Sequence, residues 1–168
     1  LLMRLRPYQH EFVDLTLGHL VECDRVLGVA ATGSGKTCMA GEIIRRCLPS
    51  GPALFLADAQ ELVWQAADKL GVWSGVIPQV EMAEEHAQPG DLVVVATTQT
   101  MARRLDRWPR DYFKLIVVDE AHRNTLGAMA QKVLGHFAPA QVVGITATPF
   151  RSDKQQLGTF YQTVTCEI

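Results

Sequence analysis

Ala30-Ala31-Thr32-Gly33-Ser34-Gly35-Lys36-Thr37 is the stretch of sequence that decides the fold. It has the spacing of a phosphate-binding loop, in which glycines let backbone N–H groups close around a polyphosphate and a lysine reaches its outer phosphates. An apolar run, 26–30, precedes the stretch, and a proline-free run, 38–46, follows it. This is the strand, loop and helix setting that the motif requires, and the helix N-terminus adds partial positive charge beside the phosphates. The stretch therefore predicts a nucleotide site rather than a glycine turn without a ligand.

A second segment, Asp119-Glu120-Ala121-His122, follows the apolar run 115–118. An acidic pair after a strand is often only a solvated turn. A phosphate loop, however, needs a carboxylate that orders Mg²⁺ and a group that orients the attacking water. Asp119 and Glu120 supply both, so the two segments together predict an ATP-hydrolysing site.

Size and composition indicate one domain over residues 1–168, with a hydrophobic content of 48% that is sufficient for a core. The formal charge of −2 argues against nucleic-acid binding by bulk electrostatics, although local basic patches remain possible. No apolar run approaches the roughly 18 residues of a membrane span, and no cleavable leader opens the chain, so no membrane partner is expected.

The cysteines and histidines show no metal-site spacing. The four cysteines form no Cys-x-x-Cys pair, and we interpret them as reduced thiols of a cytoplasmic protein. His86 lies beside Glu84 and Glu85, where a solvated acidic loop is favoured over a metal site. The cysteines are Cys23, Cys38, Cys47 and Cys166.

Short apolar runs rich in β-branched residues alternate with helix-like stretches along the chain. Such runs are typical of strands buried on both faces, and the alternation predicts an α/β domain with a mainly parallel sheet sandwiched between helices. Its ligand should lie at the carboxyl ends of the strands. One further strand is predicted around 76–82. The other predicted strands cover 26–30, 53–57, 92–96, 115–118 and 141–145, and the predicted helices cover 38–48, 59–70, 98–106 and 126–137.

In their order, the motifs resemble those of the first RecA-like lobe of superfamily 2 helicases and translocases, over nearly the whole chain. The resemblance implies a RecA-like P-loop NTPase fold and a nucleic-acid-dependent ATPase motor. The wording of the motifs is similar to DNA-acting members such as restriction-enzyme translocase subunits and repair or phage helicases, so DNA is favoured over RNA as the partner. The motifs are LRPYQ at 5–9, ALFLADAQELVWQA at 53–66, VVVATTQTM at 93–101, the DEAH form of motif II with its arginine at 119–123, and TATP at 146–149.

The resemblance places the adenine-reading glutamine at Gln9, with Arg6 beside the base. A glutamine amide carries a donor and an acceptor that match N6 and N7 of adenine, so Gln9 can select ATP over GTP. A solvent-exposed helix glutamine is the alternative interpretation. Tyr8 is either a stacking partner of the base or a core residue.

The resemblance also implies ATP and Mg²⁺ as cofactors. Lys36 is expected to contact the β- and γ-phosphates, and Thr37 and Asp119 to hold Mg²⁺ directly or through water. Glu120 is expected to orient or deprotonate the hydrolytic water. Lys36, Asp119 and Glu120 are thus the catalytic residues. The loop residues expected to bind the nucleotide are Thr32, Gly33, Ser34, Gly35, Lys36 and Thr37.

Three further residues, His122, Thr146 and Thr148, are expected to couple the nucleotide state to movement between lobes, as their counterparts do in the resembled family. For the two threonines, a capped turn after the last strand is the alternative, which Pro149 would also favour.

Nucleic-acid contacts are expected from Thr97, Thr98 and Gln99, which could donate hydrogen bonds to phosphates without reading sequence. The sequence departs from many relatives of the family, which carry a basic residue near Ala59 or Gln60, so a phosphate contact there is in doubt. Interspersed acidic residues favour a solvated helix face for the four arginines that follow. These are Arg103, Arg104, Arg107 and Arg110.

Motor action in the resembled family needs a second RecA-like lobe with an arginine finger, and the residues after Phe150 are too few to encode one. We therefore expect this chain to be part of a longer motor, and the isolated lobe to bind ATP but to hydrolyse it weakly or not at all. The alternative function is a nucleotide-gated interaction module that recruits partners without translocating.

Overall fold

Seven parallel strands form one sheet in the computed structural model, which describes residues 3–147 and 157–165. Every strand pairing is parallel. The strands are β1 (Arg25–Val29), β2 (Ala53–Ala57), β3 (Gln79–Glu81), β4 (Val93–Thr97), β5 (Leu115–Asp119), β6 (Gln141–Thr146) and β7 (Thr163–Thr165), and their order across the sheet is β3-β4-β2-β5-β6-β1-β7.

Helices cover both faces of this sheet, as parallel strands require, because the crossover between two such strands must pass over a face. Alternate residues of one strand serve the two cores: Phe55 packs with the first three helices, whereas Leu54 and Leu56 pack with the later ones. The helices are α1 (Pro7–Glu22), α2 (Lys36–Cys47), α3 (Gln60–Ser74), α4 (Thr98–Arg103), α5 (Ala121–Asn124) and α6 (Ala128–His136), with short 3₁₀ turns at Leu48–Ser50 and Leu105–Arg107.

The predicted α/β class and parallel sheet are confirmed, and the five main strands agree with the predicted runs to within one residue. The further strand around 76–82 is also confirmed, as the three-residue β3. Three elements were not predicted. The first is α1, whose apolar residues are spread too evenly for a clear amphipathic pattern. The other two are α5, a helix of four residues, and β7, a three-residue edge strand, and both are too short for a periodic signal.

Strand order brings the two decisive motifs to one edge of the sheet. The phosphate loop follows β1 and Asp119 ends β5, and β6 lies between those strands, with Thr146 at its carboxyl end. Thr148, Pro149 and Cys166 lie outside the described residues. Within residues 3–147 and 157–165, none of the helices has the length and apolar character to cross a bilayer.

Candidate nucleotide site and adjoining cavity

The phosphate loop turns on two glycines whose backbone conformation suits no other residue well. Gly33 and Gly35 have φ values of 81° and 87°, in the left-handed region, and Gly35 is the N-cap of α2. A Cβ added at Gly35 would lie 2.4 Å from Nε2 of Gln9. Gly35 therefore permits both the turn and the close approach of Gln9, the glutamine that the family resemblance predicts to read adenine.

Lys36 and Glu120 form a hydrogen bond although they are 84 residues apart in the sequence. Lys36 Nζ donates to Glu120 Oε1 at 2.9 Å, and the two side chains are only 16% and 19% exposed. Glu120 has a φ of 48°, a strained conformation for a non-glycine residue. The first residue of α2 and the residue that follows β5 thus share one half-buried site. The sequence analysis had assigned the two residues separate roles, on the phosphates and on the water, and had not foreseen their contact.

Asp119 lies beside this pair in a setting that disfavours its charge. Its Oδ1 accepts a hydrogen bond from the backbone N–H of Glu120 at 3.0 Å. Burial, and then the neighbouring Glu120 carboxylate, raise the pKa of Asp119, and Lys36 offsets only part of that rise. A divalent cation would relieve the same cost, because it would neutralise a carboxylate that burial leaves short of positive charge.

His122 joins Glu120 to β6. Its Nδ1 lies 2.7 Å from Oγ1 of the fully buried Thr146 and 3.5 Å from Oε2 of Glu120. The backbone oxygen of Thr146 accepts from the N–H of Ala30, where the phosphate loop begins. His122 and Thr146, two of the three residues predicted to couple nucleotide state to movement, thus connect the acidic segment to the loop, and the Thr146 hydroxyl contacts His122.

Gln9 is buried against the phosphate loop, so the alternative of a solvent-exposed glutamine is wrong. Its Nε2 donates to the Ser34 carbonyl at 2.7 Å and its Oε1 accepts from the N–H of Arg6 at 2.8 Å. Because an amide has two N–H donors and an oxygen with two lone pairs, one donor and one lone pair remain for a base. The Tyr8 hydroxyl donates to the same Ser34 carbonyl at 3.1 Å, so this half-buried ring is anchored on the loop.

The loop fits a phosphate ligand. Within the part of the chain that the structure describes, the buried hydroxyl of Ser34 has no hydrogen-bond partner, a cost that a ligand oxygen would remove. Thr32 and Gly33 are exposed, and Thr37 lies in the first turn of α2. No three His, Cys, Asp or Glu side chains cluster as metal ligands in the described ranges. Mg²⁺ is commonly held by one or two carboxylates together with substrate phosphates, and Asp119 is the carboxylate next to this loop.

A cavity of about 590 Å³ lies farther along the same edge, beyond β5. Thr97 and Thr98 line it but are buried, and their hydroxyls are already engaged: Thr97 caps α4, and Thr98 donates to Oδ1 of Asn124 at 2.5 Å. Gln99 is the exposed member of the predicted trio. The residues around the cavity are Asp58, Ala59, Gln60, Glu61, Thr97, Thr98, Gln99, Arg123, Asn124 and 127–130.

Sequence reasoning missed two acid–base pairings. Glu81, which is fully buried, accepts from Arg104 and Arg107, and His86 lies beside it, so the interpretation of a solvated helix face is wrong for Arg104. At the cavity, Arg123 pairs with Asp58, which had not been considered. The available signal was that each acid lies at a strand end, with Glu81 ending β3 and Asp58 following β2. The basic partners carry no such signal, because pairing across strands cannot be seen from spacing.

The comparisons with known proteins agree on one family. A family model described as the type III restriction enzyme, res subunit, matches residues 2–151. The putative ATP-dependent helicase IRC3 of Saccharomyces cerevisiae is 29% identical over 91% of this chain, and a type I restriction enzyme EcoAI endonuclease subunit of Escherichia coli is 32% identical over 86% of it. This chain spans only 24% and 19% of the lengths of those two relatives.

Among solved structures, the helicase domain of Hef from Pyrococcus furiosus superposes with a TM-score of 0.76 and 26% identity. The superposition covers 95% of this chain and 37% of that one. The helicase UvsW from bacteriophage T4 superposes with a TM-score of 0.74 over 96% of this chain and 60% of its own, at an identity of 18% that speaks for the fold alone.

Proposed function

Because this chain belongs to the type III restriction enzyme res subunit family and is the first RecA-like lobe of a superfamily 2 helicase, we propose that it binds ATP with Mg²⁺ and hydrolyses it in response to nucleic acid. The observation that carries the proposal is the 2.9 Å contact between Lys36 Nζ and Glu120 Oε1. A lysine suited to phosphates and a carboxylate suited to water lie within one hydrogen bond of each other, with Asp119 next to them.

The contact suggests how the site responds to its ligand. Lys36 cannot direct the same N–H at both Glu120 and a phosphate, so nucleotide phosphates compete with the carboxylate for the ammonium group. Glu120, released from Lys36, is then available to accept a proton from water, and His122 remains 3.5 Å from its other oxygen. Thr37 and Asp119 would hold Mg²⁺, which would neutralise charge on the phosphates.

For nucleic acid we propose the cavity beyond β5, with DNA favoured over RNA. α3 begins at Gln60 after Ala59, which cannot cap it by a side chain. The N–H of Leu62 donates to the Ala59 carbonyl, so the N–H groups of Gln60 and Glu61 are the ones proposed to meet a phosphate. This is how phosphates could be held where the sequence lacks the basic residue of many relatives. Gln99 adds an exposed amide at the rim. The restriction enzymes among the matches support DNA.

A second RecA-like lobe is proposed as the partner in the full-length protein, since the chain spans less than a quarter of the two curated relatives named above. We also propose a cytoplasmic location. The three cysteines of the described residues, Cys23, Cys38 and Cys47, are unpaired, which fits a reducing compartment.

The test is ATP turnover by the full-length protein with single-stranded DNA, duplex DNA and RNA at one salt concentration. We expect DNA to stimulate turnover more than RNA does, and Lys36→Ala to weaken ATP binding about tenfold to a hundredfold in calorimetry, the effect of losing hydrogen bonds to a charged group. Lys114→Ala, an exposed lysine away from the loop, is the control. Equal ATP affinity in Lys36→Ala would refute the site, and ATP binding without stimulation by any nucleic acid would favour the nucleotide-gated module.

A further inference from the structure

Arg123 lies between the candidate catalytic carboxylate and the cavity. Its Nη2 is 2.9 Å from Oδ2 of Asp58 and 4.0 Å from Oε2 of Glu120. The side chain is 61% exposed and lines the cavity, whereas that of Asp58 is 21% exposed. The guanidinium group of Arg123 therefore contacts Asp58 in the cavity wall, lies near Glu120, which is expected to orient water, and is also open to solvent.

The sheet fixes this arrangement. Asp58 directly follows β2, and Arg123 lies in the turn of helix that follows β5, the strand paired with β2. The next residue, Asn124, accepts a hydrogen bond from Thr98, which begins α4 after β4, the other neighbour of β2. The residues that follow three adjacent strands are thus linked by side-chain contacts. The sheet therefore fixes the backbone of Arg123 beside Asp58, while the exposed guanidinium itself can change partners.

We propose that Arg123 binds a backbone phosphate of nucleic acid in this cavity and that Asp58 occupies its guanidinium until that phosphate arrives. The inference rests on the proposed function and adds to it the residue that senses the nucleic acid. Guanidinium binds carboxylate and phosphate with the same forked geometry, so the two ligands are interchangeable at this position. Because the Arg123 side chain is mostly exposed, water already competes for its guanidinium, and a phosphate can displace Asp58 from it.

Replacement of Asp58 by a phosphate on Arg123 would change the charges around Glu120. Among residues 3–147 and 157–165, Arg123 and His122 are the basic side chains within 4.0 Å of Oε2 of Glu120, and Lys36 holds Oε1. If a phosphate in the cavity draws the Arg123 guanidinium away, Oε2 of Glu120 has one positive neighbour fewer. The Glu120 carboxylate can then rotate more freely. Arg123 is in this sense a positioning residue, because it acts on the reaction only through Glu120.

The test uses two variants that break the same ion pair. Arg123→Ala removes the phosphate ligand, so we expect DNA to bind about tenfold more weakly and the slope of log affinity against log salt concentration to fall by about one. Asp58→Asn removes the competitor, so we expect DNA to bind about threefold more tightly with the slope of the wild type. A merely structural ion pair would shift both variants in the same direction.

Binding is measured in the full-length protein by fluorescence anisotropy of fluorescein-labelled single-stranded and duplex DNA over a salt series, and ATP turnover is followed against DNA concentration. We expect the DNA concentration for half-maximal stimulation to rise in Arg123→Ala and to fall in Asp58→Asn. Arg45→Ala is the control, since Arg45 is an exposed arginine paired with Glu42 away from the cavity. Arg123→Lys keeps the charge and should keep the salt slope. Arg123→Gln, which lacks the charge but keeps a long polar side chain, replaces the alanine variant if that one fails to fold.

Shifts in the same direction, or an unchanged salt slope in Arg123→Ala, would overturn the role of Arg123 and leave the proposed function intact. If the wild-type protein binds no DNA and hydrolyses no ATP, the proposed function itself fails, and the inference fails with it.

Discussion

Glu120 and Glu81 both form ion pairs with basic side chains, but the two carboxylates differ in burial and in the number of their partners. Glu120 is partly exposed, has a strained backbone and is bonded to one flexible ammonium group, that of Lys36. Glu81 is fully buried and accepts from two guanidinium groups, those of Arg104 and Arg107. These arginines also donate to the backbone carbonyls of residues 83, 85 and 87.

The difference separates an ion pair that a ligand can open from one that holds the fold. Lys36 can leave Glu120 for a phosphate, because both groups retain access to solvent and to other partners. Arg104 cannot leave Glu81 without abandoning a buried carboxylate and releasing the segment that joins β3 to β4, which costs several kcal/mol. We call these two places the ligand edge, formed by the loop residues 30–37 with 119–122, and the β3–α4 corner, formed by 81–87 with 104–107.

The largest effect is expected at the ligand edge. Glu120→Gln keeps the size of the side chain but removes the group that could accept a proton, so DNA-stimulated turnover of the full-length protein should fall by about a hundredfold to ten-thousandfold. Nucleotide affinity should be kept or rise slightly, because the phosphates lose a charged competitor for Lys36, and the free energy of unfolding should change little. Asp119→Asn should instead show a defect that added Mg²⁺ partly restores. Turnover of Glu120→Gln close to that of the wild type, measured across a magnesium series, would show that another group activates the water.

The next effect is on stability, at the β3–α4 corner. Glu81→Gln leaves two guanidinium groups without their carboxylate and should lower the free energy of unfolding by about 3 kcal/mol, the low end for breaking a buried pair, because both arginines keep backbone partners. Urea unfolding measures the loss. The matched control is Glu84→Gln, an exposed carboxylate on the same segment. If the two variants unfold alike, the corner does not hold the fold and the contrast with Glu120 is lost.

A smaller effect is expected at Gln9, where the ligand edge meets α1. Gln9→Ala removes the amide that faces both the loop and the expected base, so the preference for ATP over GTP should fall about threefold to tenfold, the value of one or two net hydrogen bonds. Calorimetry with both nucleotides and Mg²⁺ gives the ratio. His10→Ala, an exposed neighbour on the same helix, serves as the control. An unchanged ratio would mean that the base is read elsewhere.

The smallest effect concerns pH. Burial raises the pKa of Asp119, so the folded state binds its proton more tightly than the unfolded chain does. Stability contributed by this group is therefore lost as pH rises from the ordinary aspartate pKa through the raised one. Asp119→Asn should raise Tm by a few degrees or less above that range, without Mg²⁺ or nucleotide, and should match the wild type in acid. The control is Asp68→Asn, which replaces an exposed carboxylate on α3 and should leave Tm unchanged. A lower Tm for Asp119→Asn than for the wild type at neutral pH would show that the charged form of Asp119 does not cost stability.

Local patterns were sufficient wherever one segment carries its own signal. The strands β2, β4 and β5 were predicted because buried parallel strands have continuous apolar runs, which no surface element imitates. β7 and α1 were missed because a three-residue edge strand and a helix with scattered apolar residues carry no clear period. The Arg104 interpretation failed for a related reason: the acidic residues near it in sequence suggested solvent, while its true partner, Glu81, is 23 residues away.

The sequence by itself determined the parallel α/β architecture, the phosphate loop and the acidic segment, because glycine conformation, hydrophobic period and strand-end placement are properties of consecutive residues. Only the tertiary structure decided which acid meets which base. Lys36 contacts Glu120 because only β6 separates β5 from β1 in the sheet. Arg123 contacts Asp58 because β5 is directly beside β2. The order of strands in a sheet follows from how the crossover helices pack over its two faces, and that packing depends on the whole chain at once.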